Sequence, residues 1–437
     1  MANALRPRVG VMAVASALEV GADRAPGLLD ACTEALREGT DAFAVGVVDT
    51  PHSALDAGRA LRREGVEAIV AVAASWFEDY LVGDALEEWP APLVLWAVPG
   101  METGSLCGCQ QASYLLQQLG WPCVMVFGEV GASAPTGQAL RFARVAGLLR
   151  RLRQARIGLI GHRVEGMTET TADELALKRL LGPRVVGIDT QIFLERVGRS
   201  DVAQARAAWE RVSRSVGRVL CQEGEGLESM RVYGELRQLA HEEGLAAVAV
   251  GCYPHLMGKV CLAASLLGEE GVPVACEGDV NGAVGMLVLT WLSGEPVHNT
   301  DFLDPLPDGN AIVFSHCGSG GFSLACARER IELAPVRLMD RGVCCRFPAR
   351  TGPVTLINLV PAGGGYRMGV LYGEAVPVDM VFPGNPLAVR FKQPWEAVVE
   401  WVATEGLGHH WMAAYGDYRA ELRLLARLTG CRDSQLE

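Results

Sequence analysis

The sequence predicts an α/β protein in three parts, and three features predict it. Strand-like and helix-like patterns alternate through the first 155 residues. The alternation restarts at Arg156 and runs to about residue 300. From Asp301 short strand-like runs separated by turns take over. Repeated strand–helix units build parallel sheets covered on both faces, whereas strand after strand builds antiparallel ones. The expected architecture is therefore two Rossmann-like, doubly wound domains (1–155 and 156–300) followed by an antiparallel β-barrel-like C-terminal domain (301–437).

In the first part, apolar runs at Arg8–Val14, Ala42–Val48, Ala68–Ala73, Leu93–Val98 and Cys123–Phe127 read as strands. Amphipathic stretches such as Ala25–Glu38 and Ser53–Glu64 read as the helices between them. Arg141–Arg156 spaces its arginines around Val145, Leu148, Leu149 and Leu152, as a helix with one solvated face does. In the second part, strands are expected at Arg156–Gly161, Val185–Ile188, Ala246–Val250 and Val272–Cys276. Helices are expected at Thr171–Leu181, Val202–Leu220, Leu227–Glu243, Gly258–Leu267 and Asn281–Leu292. In the third part, strands are expected at Ala311–Ser315, Gly342–Phe347, Val354–Val360, Arg367–Glu374 and Leu387–Phe391, with a helix at Tyr418–Leu428 closing the chain. His298–Pro305, which contains Asp301, reads as a turn-rich stretch.

Composition narrows the function. A chain of 437 residues, half of them apolar, buries a sizeable core. A net charge of −12 argues against a nucleic-acid partner, which needs a basic surface. Apolar stretches are interrupted well before the roughly 20 residues that span a bilayer. Met1–Val9 shows no secretory core, so a soluble cytoplasmic protein is expected. The 13 cysteines contain no Cys-x-x-Cys pair and read as reduced, buried small side chains. Walker, dinucleotide-fingerprint and serine-elbow motifs are missing.

Chemistry is expected where carboxylates and imidazoles recur. Glu277 follows the apolar run Val272–Cys276, at the carboxyl end of a strand, where open sheets place ligands. Asp279 or Asn281 fits the N-cap of the next helix. His316 ends a strand before Cys317-Gly-Ser-Gly-Gly321, and His409-His410 lie in Gly406–Gly416. Side chains alternate along a strand, so at most one histidine of that pair would enter a given site. Together these residues can hold a divalent cation and move protons.

The chain resembles the L-fucose isomerase/L-arabinose isomerase superfamily, most closely its shorter L-fucose isomerase-like branch. The matching segments are Ala275-Cys-Glu-Gly-Asp-Val-Asn-Gly-Ala283, Thr300-Asp-Phe302, Ser315-His-Cys-Gly318 and Gly408-His-His-Trp411. Weaker matches are Ser105–Gln110 and Ile157–Gly161 followed by Gly166-Met167. The resemblance implies an aldose–ketose isomerase working through a cis-enediol. It implies Glu277 and Asp301 as acid and base, and also as ligands of Mn²⁺ (or Co²⁺ or Mg²⁺) with His409 or His410; His316 is a further ligand or a near neighbour. It implies a free or modified sugar as substrate, and a homo-oligomer with active sites near subunit interfaces. Trp76 occupies the place of a sugar-stacking aromatic. Tyr253 and His255, in a segment that departs from the family, are candidate sugar contacts, as are Asn281, Asn385 and Trp411. Two alternatives stay open: a non-catalytic sugar-binding or regulatory protein of the same fold, and a metal-dependent sugar epimerase or lyase.

Overall fold

The computed structural model describes residues 5–436; Met1–Ala4, part of the segment read for a leader, and Glu437 lie outside the described residues. By their contacts the described residues form two compact units, Leu5–Arg151 and 152–436, so the stretches read as second and third domains share one unit.

The first unit is a five-stranded parallel sheet. Its strands are β1 (Arg8–Val14), β2 (Asp41–Val48), β3 (Ala68–Ala73), β4 (Leu93–Ala97) and β5 (Cys123–Phe127), in the order β2-β1-β3-β4-β5. The central strands β3 and β4 are wholly buried, which explains their unbroken apolar runs. The helix Pro51–Glu64 starts on a capping box, in which the Thr50 side chain accepts from the Ser53 N–H and the Ser53 hydroxyl accepts from the Thr50 N–H. Strand order reverses between β1 and β3, the switch point at which such sheets open a crevice. The loops after those strands meet there: the Ser16 N–H donates to Ser75 Oγ and to Trp76 O, both at 3.1 Å.

The second unit opens with another parallel sheet, of order β10-β9-β6-β7. Its strands are β6 (Arg156–Ile160), β7 (Arg184–Ile188), β9 (Ala247–Val250) and β10 (Val274–Ala275). The expected helix Val202–Leu220 stops at Ser213, and the chain then forms a short strand, β8 (Arg218–Val219). The helix Val280–Ser293 is buried at twelve positions and packs on both β9–β10 and the strands that follow. It joins the parallel sheet to the β-rich part.

That part contains β11 (His298–Leu306), β12 (Ala311–Ser315), β13 (Glu332–Val336), β14 (Arg341–Arg346), β15 (Gly352–Ala362), β16 (Gly365–Val376), β17 (Leu387–Arg390), β18 (His410–Tyr415) and β19 (Arg432–Gln435). Antiparallel pairing runs β15-β18-β11-β12-β17-β16 and returns from β16 to β15, a closed ring of six. Its interior is filled by Phe314, Leu356, Leu371, Val389 and Trp411 among others. β19 adds in parallel to β16, so this sheet is mixed and the terminal helix, Arg419–Thr429, does not close the chain. β13 and β14 leave the ring to pair with β8, a separate three-stranded sheet. The described residues are thus α/β, with two parallel sheets and two mixed ones. Asp301 corrects the turn expectation: it lies within β11, paired on both sides, and Thr300 beside it is fully buried.

Candidate functional site

β10 ends at Ala275, and Glu277 then adopts a left-handed φ of 61°. That region is sparsely used by residues with a Cβ and gathers at functional positions. Glycine follows at φ 70°, and together the two residues turn the chain sharply into Asp279. Asp279 then caps the helix Val280–Ser293, its Oδ1 accepting the Gly282 N–H at 2.8 Å.

Strand register supplies the other side. Asp301 of β11 lies directly opposite His410 of β18 and opposite Ser315 of β12, and His316 follows immediately. Alternation along β18 sends Trp411 into the ring and His410 out of it, toward Glu277. His409 precedes the strand, so alternation does not separate the pair: the two rings are 4.3 Å apart, centroid to centroid. Asn358 of β15 holds this turn, accepting from the Gly408 N–H at 3.0 Å and donating to His410 O at 2.6 Å.

His410 is bracketed by carboxylates. Its Nδ1–H donates to Asp279 Oδ2 at 2.9 Å, and its Nε2 lies 3.0 Å from Glu277 Oε2 and 3.5 Å from Asp301 Oδ1. Burial works to lower its pKa, but the hydrogen bonds to Asp279 and Glu277 win and raise it to about 9. Burial likewise opposes ionisation of Glu277, yet the bonds from His316 and His410 hold its carboxyl well below the usual range. His316 Nδ1 accepts the Cys317 N–H at 2.8 Å, which leaves the proton of the neutral ring on Nε2. That Nε2 faces Glu277 Oε2 at 3.8 Å and Asp301 Oδ1 at 3.7 Å. His409 Nδ1–H donates to Glu169 Oε1 at 2.6 Å, and its Nε2 is 4.0 Å from Asp301 Oδ1.

Three imidazole nitrogens therefore converge on Asp301 Oδ1, a buried acceptor without a hydrogen bond. Two trios bring their donor atoms within 4.8 Å of one another: Glu277, His409 and His410; and Asp301, His316 and His410. Neighbouring ligands of an octahedral ion with bonds of about 2.1 Å lie about 3 Å apart. The His410–Glu277 separation matches that spacing. The Asp279–His410 bond is of the kind that would fix the tautomer of a ligating histidine. The cluster fits a divalent cation.

No protein-family model matches the chain. Curated relatives do. A sulfoquinovose isomerase of Alkalicoccus urumqiensis is 28% identical over 378 residues, covering 83% of this chain and 84% of that protein. Sulfoquinovose isomerases of Priestia aryabhattai and Clostridium sp. (strain MSTE9) are 25% and 27% identical, covering 78% and 77% of this chain and 79% and 78% of theirs. This protein is an isomerase. Among solved structures, an ABC-transporter solute-binding protein from Burkholderia multivorans matches with a TM-score of 0.19 at 12% identity, covering 56% of this chain and 80% of that one. A superposition that poor leaves the fold to rest on its own strand pairings.

Several expected sugar contacts of the isomerase have other work. Trp411 is fully buried in the ring, packed with Phe302 and Trp401, its indole N–H donating to Gly408 O at 3.1 Å. Trp411→Ala is expected to cost about 3–5 kcal/mol of stability, read as a lowered midpoint of urea unfolding. Asn281 donates to Glu169 O and Thr171 O, both at 3.3 Å, and accepts from the Tyr366 hydroxyl at 2.9 Å, so it anchors the turn that carries Glu169. Asn385 is likewise buried, accepting the Gly320 N–H and donating to Cys345 O; it shapes the loop after His316. Tyr253 and His255 are exposed on the loop after β9; Cys252, which precedes them, lies with its Sγ 3.4 Å from the Glu277 N–H. Trp76 belongs to the first unit, where its indole N–H donates to Gln111 Oε1 at 3.2 Å. Asp279's second oxygen, Glu169 and Asn358 escaped the sequence reading. Asn358 left a signal, a lone amide in the apolar run Leu356–Val360.

Proposed function

We propose that this isomerase interconverts an aldose and its ketose through a cis-enediol, at a divalent cation held by Glu277, Asp301 and His410. The observation that carries the proposal is the convergence on Asp301 Oδ1, an acceptor ringed by imidazoles and left without a hydrogen bond. Carboxylate and imidazole donors suit Mn²⁺, with Co²⁺ or Mg²⁺ as alternatives. A cation bound there supplies Lewis-acid stabilisation of the enediolate oxygens. Glu277 and Asp301 share the acid–base work: one takes the C2 proton and returns a proton to C1, the other moves the proton between the two oxygens. His410 stays in place through Asp279, and His316 presents an N–H toward both carboxylates. The substrate we propose is a sulfonated hexose of the sulfoquinovose kind, taken from the curated relatives. Trp76 remains the proposed stacking surface for the sugar, in a homo-oligomer whose neighbouring subunit supplies it.

The test is a comparison of metal-stripped and Mn²⁺-reconstituted protein on a panel of neutral, deoxy and sulfonated aldoses, with products read by NMR in D₂O. The expected result is ketose formation, with solvent deuterium entering at carbon, only in the reconstituted protein. Stoichiometric metal with no ketose from any sugar would reject the reading.

A further inference from the structure

Arg163 has no assigned task. It sits on the loop that leaves β6, at the same carboxyl end of the parallel sheet as Glu277. This loop is held tightly against the site. The Val164 N–H donates to Glu277 O at 3.2 Å. A Cβ added to Gly278 would stand 2.6 Å from His162 O and 2.7 Å from Arg163 N, and one added to Gly251 would stand 2.3 Å from His162 O. Two glycines, Gly251 just after β9 and Gly278 after β10, therefore make room for this single loop.

The loop delivers a cation that has no carboxylate partner among the described residues. Arg163 is half-buried, and among the described residues its guanidinium donates only to the carbonyl of its own neighbour, Val164 O, at 2.9 Å. Two other cations on or near this sheet have carboxylate partners. Arg156, at the opposite end of β6, pairs with Glu243 at 2.7 Å, and Lys259, on the loop after β9, pairs with Glu228 at 2.8 Å. A guanidinium offers five N–H donors in a planar fork, and its natural partner is an oxyanion. The enediol chemistry at C1 and C2 of a sugar needs no such partner. The carboxylates of the site, Glu277 and Asp301, are directed at His410 and His316.

Resting on the isomerase reading above, we infer that Arg163 is the residue that recognises the anionic substituent of the sugar, remote from the isomerised carbons, and so sets preference for a charged over an uncharged hexose. A sulfonate and a phosphate ester share the required chemistry, three oxygens and a negative charge, and differ in charge and geometry.

The experiment uses the full-length, Mn²⁺-loaded protein and three sugars: 6-deoxy-6-sulfoglucose, 6-deoxyglucose and glucose 6-phosphate. Binding is measured by calorimetry and turnover separately, so affinity is read even where no ketose forms. A charge-assisted hydrogen-bonding contact of this kind is worth about a 10- to 100-fold difference in affinity. The wild type is expected to bind the sulfonated sugar tighter than 6-deoxyglucose by about that factor. Arg163→Met is expected to erase the preference, raising KM for the sulfonated sugar while leaving kcat/KM for 6-deoxyglucose and the Mn²⁺ content unchanged. Arg163→Lys is expected to recover part of it. Comparison with glucose 6-phosphate shows which oxyanion the guanidinium fits. Equal binding of charged and uncharged sugars by the wild type overturns the inference, and so does an Arg163→Met variant that weakens both alike. Tight, Arg163-dependent binding without turnover would sustain this inference while rejecting the isomerisation chemistry proposed above.

Discussion

Glu277→Gln is expected to remove turnover, with kcat lowered by about three orders of magnitude or more. General acid–base action alone contributes about 10²–10⁴-fold, and this substitution also replaces the charged ligand proposed for the cation by a neutral amide. The change is nearly isosteric. It keeps the left-handed φ of 61°, which the backbone already accommodates with a Cβ, so the fold should survive and thermal unfolding should move little. It also leaves His410 Nε2 and His316 Nε2 without the carboxylate that now faces both. Metal content should therefore fall together with activity. Asp301→Asn should act in the same direction by a different route, because its Oδ1 is the atom on which the imidazoles converge. The measurements are kcat with saturating sugar and bound Mn²⁺ after gel filtration. Near-normal turnover in Glu277→Gln would remove that residue from the mechanism, and with it the assignment of the site.

Glu277 was legible because its context is local: an apolar strand, then Glu-Gly-Asp, then a helix start, all within ten residues. Asp301 was legible as a carboxylate but not as a strand residue. Asn299, Asp304 and Pro305 around it carry turn propensity, and only pairing with β12 and β18 overrides that. The choice between His409 and His410 could not be made from sequence, since it depends on where β18 begins. One residue earlier, and the alternation would have put His409 on the opposite face from His410. The internal partners of Trp411, Asn281 and Asn385 were not legible, because each buried contact joins segments distant in sequence or depends on how the strands pack. Glu169 was invisible because its partner His409 is 240 positions away, and Gly408 leaves the room it occupies: a Cβ there would meet Glu169 Cγ at 2.9 Å. Arg163 was hidden in the same way, inside a loop whose position is set by two glycines distant in sequence.

Asp279→Asn separates two functions held by one carboxylate, and a loss of metal affinity of about 10- to 100-fold is expected from it. Oδ1 caps the helix Val280–Ser293 and Oδ2 accepts from His410 Nδ1. Asparagine is as good an N-cap as aspartate, and its carbonyl can take the Gly282 N–H, so the helix should keep its start. The amide NH₂ then faces His410 and donates where the carboxylate accepted. The ring must answer with a lone pair on Nδ1 and a proton on Nε2, the nitrogen a cation needs. Asp279→Ala loses cap and tautomer together and costs a further ~1 kcal/mol of stability. The same logic fixes a pH dependence. With its pKa raised to about 9, the metal-free His410 is protonated at neutral pH, and a cation must displace that proton. Mn²⁺ affinity should rise with pH up to about 9 and then level, and titrations in buffers of different ionisation heat should report proton release. The stability that the protonated ring contributes to the metal-free protein runs the other way. It is complete below the ordinary histidine pKa of 6.5 and is lost as pH climbs through about 9. In Asp279→Asn the proton on Nε2 remains but the carboxylate that raised the pKa is gone, so the affinity profile should shift toward lower pH while its plateau drops. An unshifted profile with a lower plateau would mean that Asp279 supports the helix and not the histidine.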